Sequence, residues 1–162
     1  GVAFKDLLNG VLVGEDSNNL TSIMYITNDG SNTWTELSGM TLPYYGFNYI
    51  YYKDKYYLSV GYNENESIGY MYQSVDGITW TDSSVVFDDN TGSIGIINFY
   101  NNIGFFTYHY QDGSCCIYQS NNNGTTWNKV NDTTITGGYN CISKGYIFGV
   151  KNTGVNKILK LT

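Results

Sequence analysis

Eight of the fourteen acidic side chains of this 162-residue chain, Glu15, Asp16, Glu64, Glu66, Asp88, Asp89, Asp112 and Asp132, fall in short polar stretches between strand-like runs. Paired carboxylates, Asp88 with Asp89 or one from each of two facing loops, are what glycoside hydrolysis requires, about 5–5.5 Å apart for retention and about 6.5–9.5 Å for inversion. Residue order carries no such distance. The same stretches hold aromatic rings: Tyr44 and Tyr45 in "LPYYG", Tyr62, and Tyr110. A ring that stacks on the apolar face of a sugar, beside oxygens that accept from its hydroxyls, is an ordinary sugar-site composition. Oxygen ligands would equally suit a cation, and solvated loop tips are the plain alternative. Tyr44, Tyr45, Tyr62, Tyr110, Glu64, Asp88, Asp89 and Asp112 are the ligand-binding candidates; no catalytic residue, metal ligand or cofactor is assigned.

Other chemistries find less support. The single histidine, His109 in "TYHY", is read as a hydrogen-bonded packing residue rather than a base. Neither a Ser/His/Asp nor a Cys/His pattern occurs at recognisable spacing, and no phosphate-cradling glycine loop is present. Cys115, Cys116 and Cys141 form an odd set without metal-ligand spacing. Adjacent strand residues point to opposite faces, so Cys115 and Cys116 are expected as buried thiols, with a bridge from either to Cys141 left open. The sequons at Asn19, Asn65, Asn123 and Asn131 are expected by chance in so Asn-rich a chain.

Net charge is -6 and the isoelectric point about 4.4, and none of the eight basic residues is an arginine. Capture of a phosphate backbone needs clustered Lys and Arg, so nucleic acid is not an expected partner. No apolar run approaches the roughly 20 residues that span a bilayer, so no membrane insertion is expected, and no leading segment reads as a signal peptide. The chain opens on Gly1, from which a processed N-terminus is expected, and with it an extracellular, cell-surface or virion location.

What must position these residues is a repeat. The tryptophans stand at 34, 80 and 127, and each closes a similar spelling: "TNDGSNTW", "SVDGITW" and "SNNNGTTW". Ahead of each runs a strand signature, "MYIT", "MYQS" or "IYQS", and upstream of those lie paired strand-like segments such as "NYIYYKDKYYLSVG" and "INFYNNIGFFTYHY". After each Trp comes one more short strand. Four short strands with turn signals between them form an antiparallel meander, and a period of 40 to 50 residues in tandem is the mark of a β-propeller blade. The fold expected is all-β: a propeller, or partial propeller, of four-stranded antiparallel blades, about four in this chain. The boundaries expected are 1–46, 47–94, 95–136 and an incomplete 137–162, within one domain.

The three spellings resemble the Asp-box, or BNR repeat, roughly Ser/Thr-x-Asp-x-Gly-x-Thr-Trp, of sialidases and other propellers. Here Thr27, Asp29, Gly30 and Trp34 fill the first copy, with Ser31 in place of the second Gly. Ser74, Asp76, Gly77 and Trp80 fill a copy one residue short, and Ser120, Asn122, Gly124 and Trp127 fill a third with Asn for Asp. Glycine reaches positive φ, the carboxylate or amide bonds the loop's own N–H groups, and the indole anchors the hairpin. These are structural residues, not acids. The resemblance places the boxes at the C-to-D strand turns, on the rim away from the ligand face. It also implies an arginine triad for a sialidase, which this chain lacks, so a self-contained sialidase is excluded.

With strands ordered A to D, the eight acids and four tyrosines fall on the face of the D-to-A and B-to-C loops, whereas Lys53, Lys55 and Lys144 fall in A-to-B turns, so the two faces are expected to differ in sign. Fifteen strands are counted, and the fourth unit stops at Thr162. A larger propeller, a ring of identical chains (a homo-oligomer) and a four-bladed ring with an incomplete blade would each complete it. The expected function is a non-catalytic binding module for a glycan or cell-surface receptor, in a setting such as a phage tail or bacterial surface. The alternatives are a glycoside hydrolase fragment and a purely structural repeat.

Overall fold

A computed structural model describes residues 1–16, 21–38, 46–60, 69–83, 85, 87, 92–130, 135–136, 139–143, 146–150 and 156–160. Among the described residues all sixteen elements are strands. The first sheet is β1 (Val2–Phe4), β2 (Gly10–Asp16), β3 (Thr21–Thr27) and β4 (Thr35–Glu36). The second is β5 (Phe47–Lys53), β6 (Lys55–Val60), β7 (Tyr70–Ser74) and β8 (Thr81–Asp82), and the third begins with β9 (Gly92–Tyr100), β10 (Ile103–Tyr110), β11 (Ser114–Ser120) and β12 (Asn128–Lys129). A further two-residue strand, β13 (Ile135–Thr136), pairs with β11 beyond β12. The last sheet is β14 (Tyr139–Ser143), β15 (Tyr146–Val150) and β16 (Asn156–Lys160). Each sheet is an antiparallel meander in chain order. The count exceeds fifteen because the outer strand of the third blade comes in two pieces, β12 and β13.

Turn chemistry sets the register of the hairpins. Asn101 and Asn102 both hold positive φ, 49° and 66°, between Tyr100 and Ile103, which face each other across the ladder. Two left-handed residues in a two-residue loop match the twist of the flanking strands, and Asn tolerates that region better than other non-glycine residues. Between Lys53 and Lys55 a single left-handed Asp54 does the work, at φ 61°.

The sheets stack in sequence. β5 packs on β1 and β2, β9 on β5 and β6, and β14 on β9, so the first strand of each blade meets that of the next. Alternation along each strand sends one set of side chains forward to the next blade and the other set back. Val11, Val13 and Met24 of the first blade meet Ile50, Tyr56, Leu58 and Tyr72 of the second. Tyr57 and Met71 of the second meet Ile94, Ile97, Phe99, Phe106 and Tyr108 of the third. Phe105, Cys115 and Ile117 form the next layer, on the side of the third blade opposite the second. Cys115 and Cys116 are buried thiols on opposite faces of β11, one in each layer, as the adjacent spelling predicts. Cys141 lies on β14.

Candidate functional site

The three repeat turns are built alike, around a hydroxyl. Thr27, Ser74 and Ser120 each end a strand buried, and each donates from its hydroxyl to the Asx oxygen two residues on: to Asp29 at 2.9 Å, Asp76 at 2.8 Å and Asn122 at 2.9 Å. The same hydroxyl accepts a backbone N–H from across the loop: Ser31 at 3.1 Å, Gly77 at 2.8 Å and Gly124 at 2.8 Å. The Asx oxygen then accepts the N–H of the threonine that precedes the Trp: Thr33 at 2.9 Å, Thr79 at 2.8 Å and Thr126 at 2.9 Å. In the second turn these bonds span one residue fewer, which absorbs the missing residue without changing the pattern.

Those bonds decide what the acids can do. Hydrogen bonds from the Thr79 and Ile78 N–H groups push the Asp76 carboxyl down to about 2. The Thr33 hydroxyl and N–H lower that of Asp29 in the same way. A carboxylate that accepts its own loop's donors and stays ionised is a poor general acid. The turns are braces.

They also clip one blade to its neighbour. A Cβ on Gly124 would stand 2.4 Å from the Tyr57 hydroxyl of the second blade, and that hydroxyl donates to the Asn123 carbonyl at 2.7 Å. Gly124 therefore meets two requirements, a φ of 74° and an absent side chain. Residue order did not single out Tyr57; its place on β6 opposite Gln73, one residue ahead of Ser74, is the signal that would have found it.

On the opposite face, at the ends of β2, β6 and β10, two of the eight candidates lie among the described residues. Asp112 is exposed and its Oδ1 accepts the Ser114 N–H at 2.7 Å; the Ser114 hydroxyl and then this N–H hold its carboxyl below the usual range. Tyr110 is half-buried rather than a free platform. Its hydroxyl lies 3.2 Å from Cys116 Sγ, its ring meets that of Tyr108 at 5.1 Å, and Lys129 Nζ stands 5.5 Å from its centroid. Burial pushes the phenol up to about 12. Glu15 is exposed and Asp16 half-exposed at the β2–β3 connection, and the Gly46 N–H donates to Ser22 Oγ at 2.9 Å, which ties the start of β5 to that of β3. Tyr44, Tyr45, Tyr62, Glu64, Asp88 and Asp89 lie outside the described residues, as do Glu66 and Asp132.

His109 is partly buried beside this face. Its Nε2 lies 3.2 Å from Thr107 Oγ1, which accepts the Ile96 N–H at 3.1 Å, and desolvation lowers its pKa. A neutral imidazole in a packed polar seam matches the packing role expected for it. The charge separation is weaker than the strand assignment suggests. On the brace rim, Lys5, Lys53 and Lys55 stand among Asp6, Asp29, Asp54 and Asp76, and Lys53 Nζ pairs with Asp54 at 3.0 Å. That rim is mixed, not basic: Asp6 accepts the Leu8 and Asn9 N–H groups of its own turn beside Lys5, and Asp54 accepts from the Lys53 and Asn123 side chains. Among the described residues no group of three or more potential metal ligands is present, and no helix is long and apolar enough to cross a membrane.

Successive antiparallel sheets of three to five strands, each seated on the last through its first strand, define a β-propeller fold of about four blades. Solved structures agree. YCF48 bound to D1 peptide matches with a TM-score of 0.67 at 19% identity, covering 99% of this chain and 49% of that one. YCF48 from Cyanidioschyzon merolae matches at 0.56 and 17%, over 99% and 55%. The computationally designed Ika4 protein matches at 0.60 and 10%, over 99% and 89%. The chain thus spans about half the length of the YCF48 chains it resembles. No protein-family model and no curated protein sequence matches it.

Proposed function

We propose that this chain is an Asp-box propeller, whole or in part, that works outside the cytoplasm as a non-catalytic binding module and offers its D-to-A and B-to-C loop face to a glycan. The observation that carries this reading is the division of labour between the two faces. On the brace rim the Asx side chains accept from their own turns. On the loop face Glu15 and Asp112 are exposed, and Asp112 is held at its place by Ser114. Carboxylates of that kind accept from sugar hydroxyls, and the partly buried Tyr110 ring stands on the same face.

A second reading, a peptide ligand with basic residues, draws on the YCF48 structure solved with a peptide and on the acids of the same face. A glycan array probed alongside a panel of Lys- and Arg-containing peptides tests both. A glycan signal that falls at least several-fold in Asp112→Asn and Glu15→Gln is expected; Asn keeps the Ser114 cap and removes only charge. Peptide signals alone would replace the glycan reading, and no signal in either set would overturn the binding face.

A further inference from the structure

The outward side of the first blade repeats, position for position, a surface that the second and third blades bury. Register fixes the equivalences: Phe4 faces Gly10, which faces Thr27, and Phe99 faces Gly104, which faces Ser120. On the same alignment Val2 corresponds to Ile50 and Ile97, and Leu12 to Leu58 and Phe106. Ile50 and Ile97 are 3% and 0% exposed, whereas Val2 is 53% exposed. Phe99 is 8% exposed and Phe4 40%.

The local geometry is already in place. Phe4 meets Trp34 edge-on at 6.1 Å and 75°, and Phe99 meets Trp127 at 5.8 Å and 69°. What the first pair lacks is the cover that the second blade gives the third, where Tyr57 and Tyr51 sit 4.7 and 5.9 Å from Phe99. Trp80 likewise packs back on the first blade. Trp80 and Trp127 each pack in the interface with the preceding blade, and among the described residues nothing covers the face behind Trp34. At the other end of the series β14–β16 has β9 behind it, and among the described residues no comparable packing joins it to β1.

We propose that this face docks a second copy of the chain, whose fourth sheet takes the place of a preceding blade. The contact continues an interface type the chain already makes three times, front of one blade to back of the next. Two copies joined this way at both junctions close a ring of about eight blades, within the usual propeller range of roughly 4–8, and leave no sheet face open. A dimer buries the apolar positions Val2, Phe4 and Leu12, which water otherwise bathes.

Light scattering on the purified chain over a concentration series tests this. The expected mass is twice the 18.2 kDa chain mass, falling two-fold in Phe4→Lys and in Val2→Lys. Leu7→Lys, at a rim residue 93% exposed, is expected to keep the dimer. Circular dichroism confirms folding, and Val2→Lys stands in if Phe4→Lys unfolds. A wild-type monomer at every concentration overturns the proposal and leaves the face to solvent or to preceding blades of a longer chain. So does a dimer that survives both face substitutions. Neither result bears on whether the loop face binds a glycan.

Discussion

Ser31 holds a φ of 72° at the position where the third turn has Gly124. A left-handed backbone costs a residue with a Cβ roughly 1–2 kcal/mol, part of which glycine loses again through its freer unfolded chain. Ser31→Gly is expected to stabilise the fold by about 0.5–1 kcal/mol, read from urea denaturation. Asp76 gives a pH signature. Its carboxyl is lowered from 3.8 to about 2, so its stabilisation is present above about pH 4 and lost as pH falls toward about 2. The carboxylate faces water and the effect is screened. Comparing wild type with Asp76→Asn from pH 5 to pH 2 should show the wild type losing more stability, and equal slopes would contradict the brace. Asp29, Asp76, Asn122 and the glycines stand out in the sequence because local turn chemistry favours those residue types between strands. The hydroxyls of Thr27, Ser74 and Ser120 as hubs were less legible, since a Ser at a strand end has many uses.

The tryptophans look equal in the sequence and are unequal in the structure. Trp127 is 8% exposed between Phe99 and Phe106, and Trp34 is half-buried. Trp127→Ala is expected to cost about 3–5 kcal/mol, as fully buried aromatic truncations do. Trp34→Ala should cost less than half of that in the monomer; equal losses in thermal or urea unfolding would contradict the stacking order. Tyr57→Phe removes the bond to the Asn123 carbonyl across two blades and is expected to cost about 1 kcal/mol. Strand number and meander order were readable from alternation and turn residues. The split of the third blade's outer strand was not, because a break in an exposed two-residue strand leaves no mark on a periodic pattern.

At the scale of the molecule, the 46- and 47-residue spacings disclosed the propeller before any contact was known, since a repeat that cannot bury its own two faces must stack. The binding face was less legible. Strand order sorts loops onto faces, but Tyr110 turned out half-buried with Lys129 near its ring, and the rim lysines turned out interleaved with acids. Which way a loop tyrosine turns depends on neighbours brought by other strands, here Cys116 of β11 and Lys129 of β12, and a pattern along one strand does not encode them.

The central claim, that the repeated turns hold the fold while the opposite face meets the ligand, is tested most directly by one pair of readings on Asp76→Ala: unfolding free energy, and affinity for a glycan retained by the wild-type chain. The expected result is a loss of about 1–2 kcal/mol of stability, in line with other lost caps and turn bonds, with affinity unchanged within about two-fold. A chain as stable as wild type whose affinity falls at least ten-fold, or that no longer cleaves a glycan the wild type hydrolyses, would place function on the rim and contradict it.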